Sequence, residues 1–202
     1  MYRFGKSGLK DIYVIGCGPS LKDFNWQLLK DKTTIAVNGS LIDVPNPDFF
    51  LTADSGFACK ASQANFWNVE TQKILVMGPG HTHFRSVKPY LHLWNHRITP
   101  VCFNGDIGFN ENNFATGQSS GFCGMQLAVI LGAKKIHLLG MDFTGKGKGN
   151  YHNRYTSNPK TWNEFLLYFN IGIRRLQQYG LEIVNHSSIS LLNNTIPYEE
   201  LT

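Results

Sequence analysis

The sequence predicts an α/β protein: a single Rossmann-like domain with a mostly parallel sheet and helices on both faces. Three observations predict it. Short β-branched runs alternate with helix-like segments along all 202 residues. Each run stops abruptly on glycine, asparagine, aspartate or serine. The composition is 42% hydrophobic with 20 glycines and only 16% charge, which suits one loop-rich folded core and not a disordered chain.

The elements follow in order. Ile12–Gly16 (IYVIG) reads as a buried parallel strand closed by glycine. Leu21, Phe24, Leu28 and Leu29 then recur at helical spacing, which predicts a helix over Leu21 to Leu29. Thr33–Val37 is a second strand ending at Asn38-Gly39-Ser40, and Phe49–Ala53 a third ending at Asp54-Ser55-Gly56. A helix is expected around Phe57 to Trp67, then a fourth strand over Lys73–Met77. Residues 81–113 hold four histidines and no sustained period, and read as an irregular insertion with one or two short strands. Regularity returns in SSGFCGMQLAVILGA, a mostly buried helix stopped by Gly132. Lys135–Gly140 is a strand, followed by a glycine-rich loop that serves as a short lid at 144–158. Pro159 opens a long helix to Gln178 with Trp162, Phe165, Phe169, Ile173 and Leu176 on one face. Leu181–Asn185 is the last strand, and the whole of 1–202 reads as one domain.

Charge and cysteine usage narrow the class. The formal charge is +5, yet the basic residues are scattered without a stripe or interleaved aromatics. Nucleic acid is therefore not the expected partner, while an anionic small substrate is served by the excess. Cys17, Cys59, Cys102 and Cys123 show no CxxC or CxxH spacing, so neither zinc nor a disulfide framework is indicated. The opening MYRFGKSGLKD lacks the apolar core of a signal peptide, and no run approaches the roughly eighteen apolar residues of a membrane span. A cytoplasmic protein without a transmembrane segment is expected.

In a parallel sheet, ligands bind beyond the carboxyl ends of the strands, and the small polar clusters fall there. Gly16-Cys17-Gly18-Pro19-Ser20 would turn backbone N–H groups toward an anion, with Ser20 opening a helix whose dipole faces it; the alternative is a plain capped turn. It is neither a dinucleotide fingerprint nor a P-loop, since the third glycine and the Gly-Lys-Ser/Thr are missing. Asn38 offers donor and acceptor to a ribose or base, or forms a turn with Gly39. Asp54 either contacts ligand or caps the following helix. Ser119, Ser120 and Gly121 begin a helix whose N-terminus could take another anionic group, and Ser119 or Ser120 is a natural N-cap. Asp142 and Thr144 follow the sixth strand, and Ser187 the last. In the glycine-rich loop, His152 can accept a proton from a hydroxyl and Tyr151 can hydrogen-bond a departing phosphate. His137 points out of a strand and reads as structural. No metal site is expected.

GCGPSL after the first strand, Asn38 after the second, the Ser-Ser-Gly start of CGMQLAVILGAKKIHLLGMDF and the tyrosine–histidine loop resemble the bacterial sialyltransferases of glycosyltransferase family 42. They are also similar to the related Rossmann-like proteins of the 6-hydroxymethylpterin pyrophosphokinase type. The resemblance implies a GT-A-variant Rossmann sheet, a CMP-linked sugar donor, inversion at the sugar and no cofactor beyond that nucleotide-sugar. It would place Gly18, Ser20, Asn38 and Ser120 on the donor, Tyr151 on the leaving phosphate, and His152 as general base toward a hydroxyl acceptor. This chain departs from the family in three places: Thr144 stands where a tyrosine is usual, Asp54 where an asparagine is usual, and the lid is short. A lid that short suggests completion by a neighbouring subunit, hence a homo-oligomer. Two alternatives follow: a diphosphokinase holding Mg²⁺ between Asp54 and Asp142, and a nucleotide-binding module without turnover.

Overall fold

The computed structural model describes residues 11–64, 70–77, 84–101, 114–144 and 159–202. Seven strands form one sheet: β1 (Asp11–Ile15), β2 (Thr34–Val37), β3 (Phe49–Thr52), β4 (Gln72–Val76), β5 (His96–Ile98), β6 (Lys135–Leu139) and β7 (Glu182–Asn185). Their spatial order is β5-β4-β3-β2-β1-β6-β7, and every pairing is parallel. The chain thus steps outward from β1 to β5 and returns to the far side of β1 with β6. The sense of winding reverses between β1 and β6, and such a reversal opens a crevice at the carboxyl edge.

Strand alternation divides the core in two. Ile12, Val14, Ile35, Val37, Leu51 and Ile74 face one layer. Tyr13, Ile15, Ala36, Phe50 and Leu75 face the other. The first face carries α3 (Ser120–Ile130) and α4 (Pro159–Gln178), and the second carries α1 (Ser55–Ala64) and α2 (Phe84–Val87). Helices on opposite faces are what right-handed crossovers produce when the winding reverses. α3 is buried from Ser120 to Ala128, clamped between the sheet and α4. Gly124 permits that approach: a Cβ there would lie 2.8 Å from Val14 Cγ1 and 3.0 Å from Val37 Cγ2. Phe122 and Phe169 meet edge-on at 5.9 Å and seal the α3–α4 contact. Each fully buried phenyl ring contributes about 1.5–3 kcal/mol.

The helix expected over Leu21 to Leu29 is replaced by two 3₁₀ turns, Pro19–Leu21 and Trp26–Leu29. Asn25 breaks the continuity, because its Oδ1 accepts from Gln27 N at 3.2 Å and restarts the backbone in an extended residue. No macrodipole therefore develops behind Ser20. Within the stretch read as irregular, residues 84–98 are ordered as α2, a 3₁₀ turn Lys88–Leu93 and β5. The tail after β7 makes a 3₁₀ turn, Leu191–Asn194, and returns along β7 with Tyr198 bridging Asn185 in parallel.

Candidate functional site

The ends of β1, β2, β3, β6 and β7 place Ser20, Asn38, Asp54, Asp142 and Ser187 along one edge of the sheet. Two hydrogen-bonded knots join these mouths. The first ties β1 to β6. Ser20 donates its backbone N–H to Asp142 Oδ2 and its hydroxyl to Asp142 Oδ1, both at 2.7 Å. Asp142 is 3% exposed, so this charge-assisted pair replaces the water both oxygens would otherwise have.

That knot changes the role of the glycines. Gly16 N–H donates to Leu139 O and Gly18 N–H to Gly140 O, each at 2.8 Å. The expectation that these amides face an anion is corrected: they extend the β1–β6 ladder. The room the glycines make is filled from within the chain. A Cβ on Gly18 would sit 2.5 Å from the Asp142 carboxylate and 2.6 Å from Gly140 O. A Cβ on Gly16 would meet Gly140 O at 2.7 Å and Met141 Sδ at 2.9 Å. Pro19 has no N–H to offer and starts the 3₁₀ turn.

The second knot ties β2, β3 and α3. Asn38 leaves β2 with φ +54°, a left-handed conformation that asparagine tolerates better than most residues. Its Oδ1 accepts from Thr52 Oγ1 at 2.6 Å, and the same Thr52 oxygen accepts from Asp54 N at 3.0 Å. Asp54 Oδ1 accepts from Phe57 N at 2.9 Å, so Asp54 caps α1. Ser120 Oγ accepts from Ala53 N at 2.9 Å, which fixes the first residue of α3 to the end of β3. Ser119 is the N-cap, accepting from Phe122 N at 3.4 Å. Among the described residues, the N–H groups of Ser120 and Gly121 have no hydrogen-bond partner, as donors at a helix start commonly do not.

The remaining positions are placed as follows. Gly121 lies against Met141, where a Cβ would be 2.9 Å from the sulfur. Thr144 is half-buried and follows Phe143, which packs on Phe169 at 4.8 Å. Ser187 is 1% exposed and its carbonyl accepts from Asn185 and Asn193 side chains inside the tail. Tyr151 and His152 lie outside the described residues. Two residues missed in the sequence hold the site together: Thr52 and Gln126. Gln126 is fully buried on α3 and grips the Ala115 backbone, accepting from its N–H at 2.9 Å and donating to its carbonyl, which fixes the segment leading to Ser119.

The electrostatics separate inert groups from responsive ones. Burial pushes the Cys17 thiol up to about 12, so it stays protonated and donates to Val37 O at 3.4 Å. Burial likewise raises Cys123. On the face away from α3, His137 stacks on Tyr13 at 4.1 Å and its Nδ1 lies 2.8 Å from His186 Nε2. His186 Nδ1 lies 2.6 Å from Glu199 O, which can only accept. The tautomers follow: His186 donates from Nδ1, its Nε2 accepts from His137 Nδ1–H, and His137 Nε2 keeps a buried lone pair without a partner. Burial, then the neighbouring His186, pulls His137 down to about 4.

A parallel sheet whose winding reverses between β1 and β6, with a buried helix start and small polar residues at its strand ends, defines a Rossmann-type fold. The chain belongs to the 6-hydroxymethylpterin diphosphokinase MptE-like family, whose model matches residues 2–148. Comparison with curated proteins gives no match. Among solved structures, the fold is shared with Campylobacter jejuni sialyltransferases. The monofunctional α-2,3-sialyltransferase Cst-I aligns at 15% identity and TM-score 0.59, over 95% of this chain and 81% of that one. CstII in complex with a trisaccharide acceptor and CMP aligns at 17% identity and TM-score 0.55, over 95% and 87%. CstII with CMP-3FNeuAc aligns at 17% identity and TM-score 0.56, over 96% and 86%. Among the described residues, no helix is long and apolar enough to cross a membrane.

Proposed function

We propose that the protein is a metal-independent glycosyltransferase that moves a sugar from a CMP-linked donor to a hydroxyl acceptor. The observation that carries this reading is the meeting of Asn38, Ser120 and the start of α3 at the end of β3, in a fold shared with CMP-binding sialyltransferases. The open N–H groups of Ser120 and Gly121 would receive the donor's anionic group, where the dipole of an eleven-residue helix favours negative charge. Ser120 accepts from Ala53 and keeps its own proton to donate. Asn38 would contact the nucleotide from the β2 side.

The anchor at Gly18 expected from the sequence is not part of this scheme, because its amide is spent on Gly140. Ser20 and Asp142 instead form the floor between β1 and β6, and Thr144 and Ser187 flank it. In the reaction, the acceptor oxygen bonds to the anomeric carbon as the bond from that carbon to the phosphate oxygen breaks. The configuration inverts and the nucleoside monophosphate leaves. His152 takes the acceptor proton, and Tyr151 hydrogen-bonds the leaving phosphate. General-base catalysis of this kind contributes roughly a hundred- to ten-thousand-fold. The His152→Ala protein is expected to lose that much in transfer from a CMP-sugar donor; transfer at the parent rate would remove the base from this scheme.

The family match favours one second reading, a Mg²⁺-dependent diphosphokinase. Asp54 and Asp142 do not fit as joint ligands of one ion. They follow β3 and β6, three strand spacings or about 14 Å apart, and both oxygens of Asp142 already accept from Ser20. EDTA separates the two readings: nucleotide binding that survives EDTA supports the glycosyltransferase, and binding abolished by it supports the kinase.

A further inference from the structure

Thr52 closes β3 with no exposed surface, and its hydroxyl oxygen faces three backbone or side-chain partners. It lies 2.6 Å from Asn38 Oδ1, 3.0 Å from Asp54 N and 3.4 Å from Asp54 O. A hydroxyl has one proton to give. The separation of 2.6 Å suits O–H···O, whose usual length is about 2.7–2.8 Å, better than N–H···O near 2.9–3.0 Å. The proton therefore goes to Asn38, Asp54 N–H fills one lone pair, and Asn38 presents oxygen to Thr52.

The rest of Asn38 cannot compensate. Its backbone begins the 3₁₀ turn Asn38–Ile42, which Ser40 pins by bonding Val37 N and Ile15 O at 2.8 Å. With the backbone held at φ +54°, the remaining freedom is a rotation of the carboxamide that exchanges its O and N. Thr52 selects one of the two orientations. Asn38 Nδ2, with two N–H donors, is then without a partner among the described residues.

We propose that Thr52 is a positioning residue that fixes the polarity of Asn38, so that this strand mouth accepts only a hydrogen-bond acceptor oxygen of the nucleotide, from its phosphate or its pyrimidine carbonyl. The inference rests on the nucleotide site proposed above and narrows it: a donor group, such as a ring amino group, is rejected at this position because it would face two N–H groups. Nothing in the sequence pattern FFLTAD separates Thr52 from an ordinary strand residue; the hydrogen bond to Asn38 does.

The test is calorimetric titration of CMP and of cytidine into the parent, Thr52→Val, Thr52→Ser, Asn38→Gly, Asn38→Asp and the Thr52→Val/Asn38→Gly pair. Glycine keeps the left-handed backbone while removing the carboxamide. Asn38→Gly is expected to weaken CMP about tenfold, and Thr52→Val about fivefold, in line with the loss of one hydrogen bond. Thr52→Ser should restore parent affinity within about twofold, since it keeps the hydroxyl. The double variant should bind no more weakly than Asn38→Gly alone, because a residue acting through Asn38 has nothing left to act on. Asn38→Asp keeps the Thr52 bond but presents an acceptor, and should weaken CMP at least as much as Asn38→Gly. A loss confined to CMP assigns the phosphate; an equal loss for cytidine assigns the pyrimidine carbonyl. Parent-like affinity in Thr52→Val or Asn38→Asp, or a Thr52→Val penalty that adds in full to Asn38→Gly, overturns the inference while leaving the nucleotide site standing. A parent protein that binds neither CMP nor cytidine overturns both.

Discussion

Asp142 receives both donors of Ser20, the backbone N–H and the hydroxyl, at 2.7 Å each across 122 residues of sequence. A negative group does sit at the Gly-Pro-Ser turn, and it is the chain's own. Both oxygens of that group are thereby hydrogen-bonded within the chain before any ligand arrives.

This pair sets a stability expectation. Asp142→Ala strands the Ser20 N–H and hydroxyl in a partly buried position and should cost about 2 kcal/mol. Ser20→Ala removes one bond and should cost about 1 kcal/mol. The double variant should lose less than the sum, since each residue serves the other. Urea denaturation midpoints at unchanged m-value measure all three.

Gly18→Ala tests what the glycine is for. Its φ of −66° is open to any residue, so only the contacts oppose a side chain. A methyl group 2.5 Å from the Asp142 carboxylate and 2.6 Å from Gly140 O must displace the β6 end, at a cost of about 2–3 kcal/mol. An alanine variant as stable as the parent would mean the turn is looser than its hydrogen bonds indicate.

Asp54 can be separated into cap and ligand contact. Asp54→Asn keeps an oxygen for Phe57 N–H and should stay within about 0.5 kcal/mol of the parent, while Asp54→Ala should lose about 1 kcal/mol. If Asp54→Asn retains stability yet alters nucleotide affinity, the carboxylate also meets the ligand.

The strands and the two long helices were legible in the sequence, and the site only partly. IYVIG, TTIAV and KIHLL are β-branched or apolar runs cut by glycine or asparagine, and nothing else buries such short segments. Pro159 and the apolar stripe to Leu176 mark α4 equally well. The fate of the Gly16 and Gly18 amides was not legible, because their partners, Leu139 and Gly140, lie at the end of β6, more than a hundred residues away. Asp142 stood out as a polar strand end, but only the β1–β6 neighbour relation shows that Ser20 saturates it. The broken helix after Pro19 had a local signal, an Asx turn at Asn25, that the leucine spacing masked. Thr52 and Gln126 resemble ordinary strand and helix residues until their partners are in place.

The paired histidines give a pH dependence. His137 faces Tyr13 and Asp11 from β1, Lys135 from its own strand, and His186 and Glu199 from the tail. Its proton affinity falls from the ordinary 6.5 to about 4 on folding. The unfolded chain then binds the proton more readily, so the associated stability is complete above pH 6.5 and is lost as the pH falls toward 4. The ceiling on that loss is roughly 3 kcal/mol. His137→Asn retains a donor toward His186 without titrating, and should flatten the fall in urea midpoint between pH 7 and pH 4.5.

The most direct measurement is a crystal structure of the protein grown with CMP and EDTA. The expected result is a nucleotide at the carboxyl edge of the sheet, an anionic or polar group against Ser120 and Gly121 N–H, and an acceptor oxygen on Asn38 Nδ2, with the Ser20–Asp142 pair intact beneath it. A nucleotide bound elsewhere on the molecule, or an empty crevice at saturating CMP, would contradict the account.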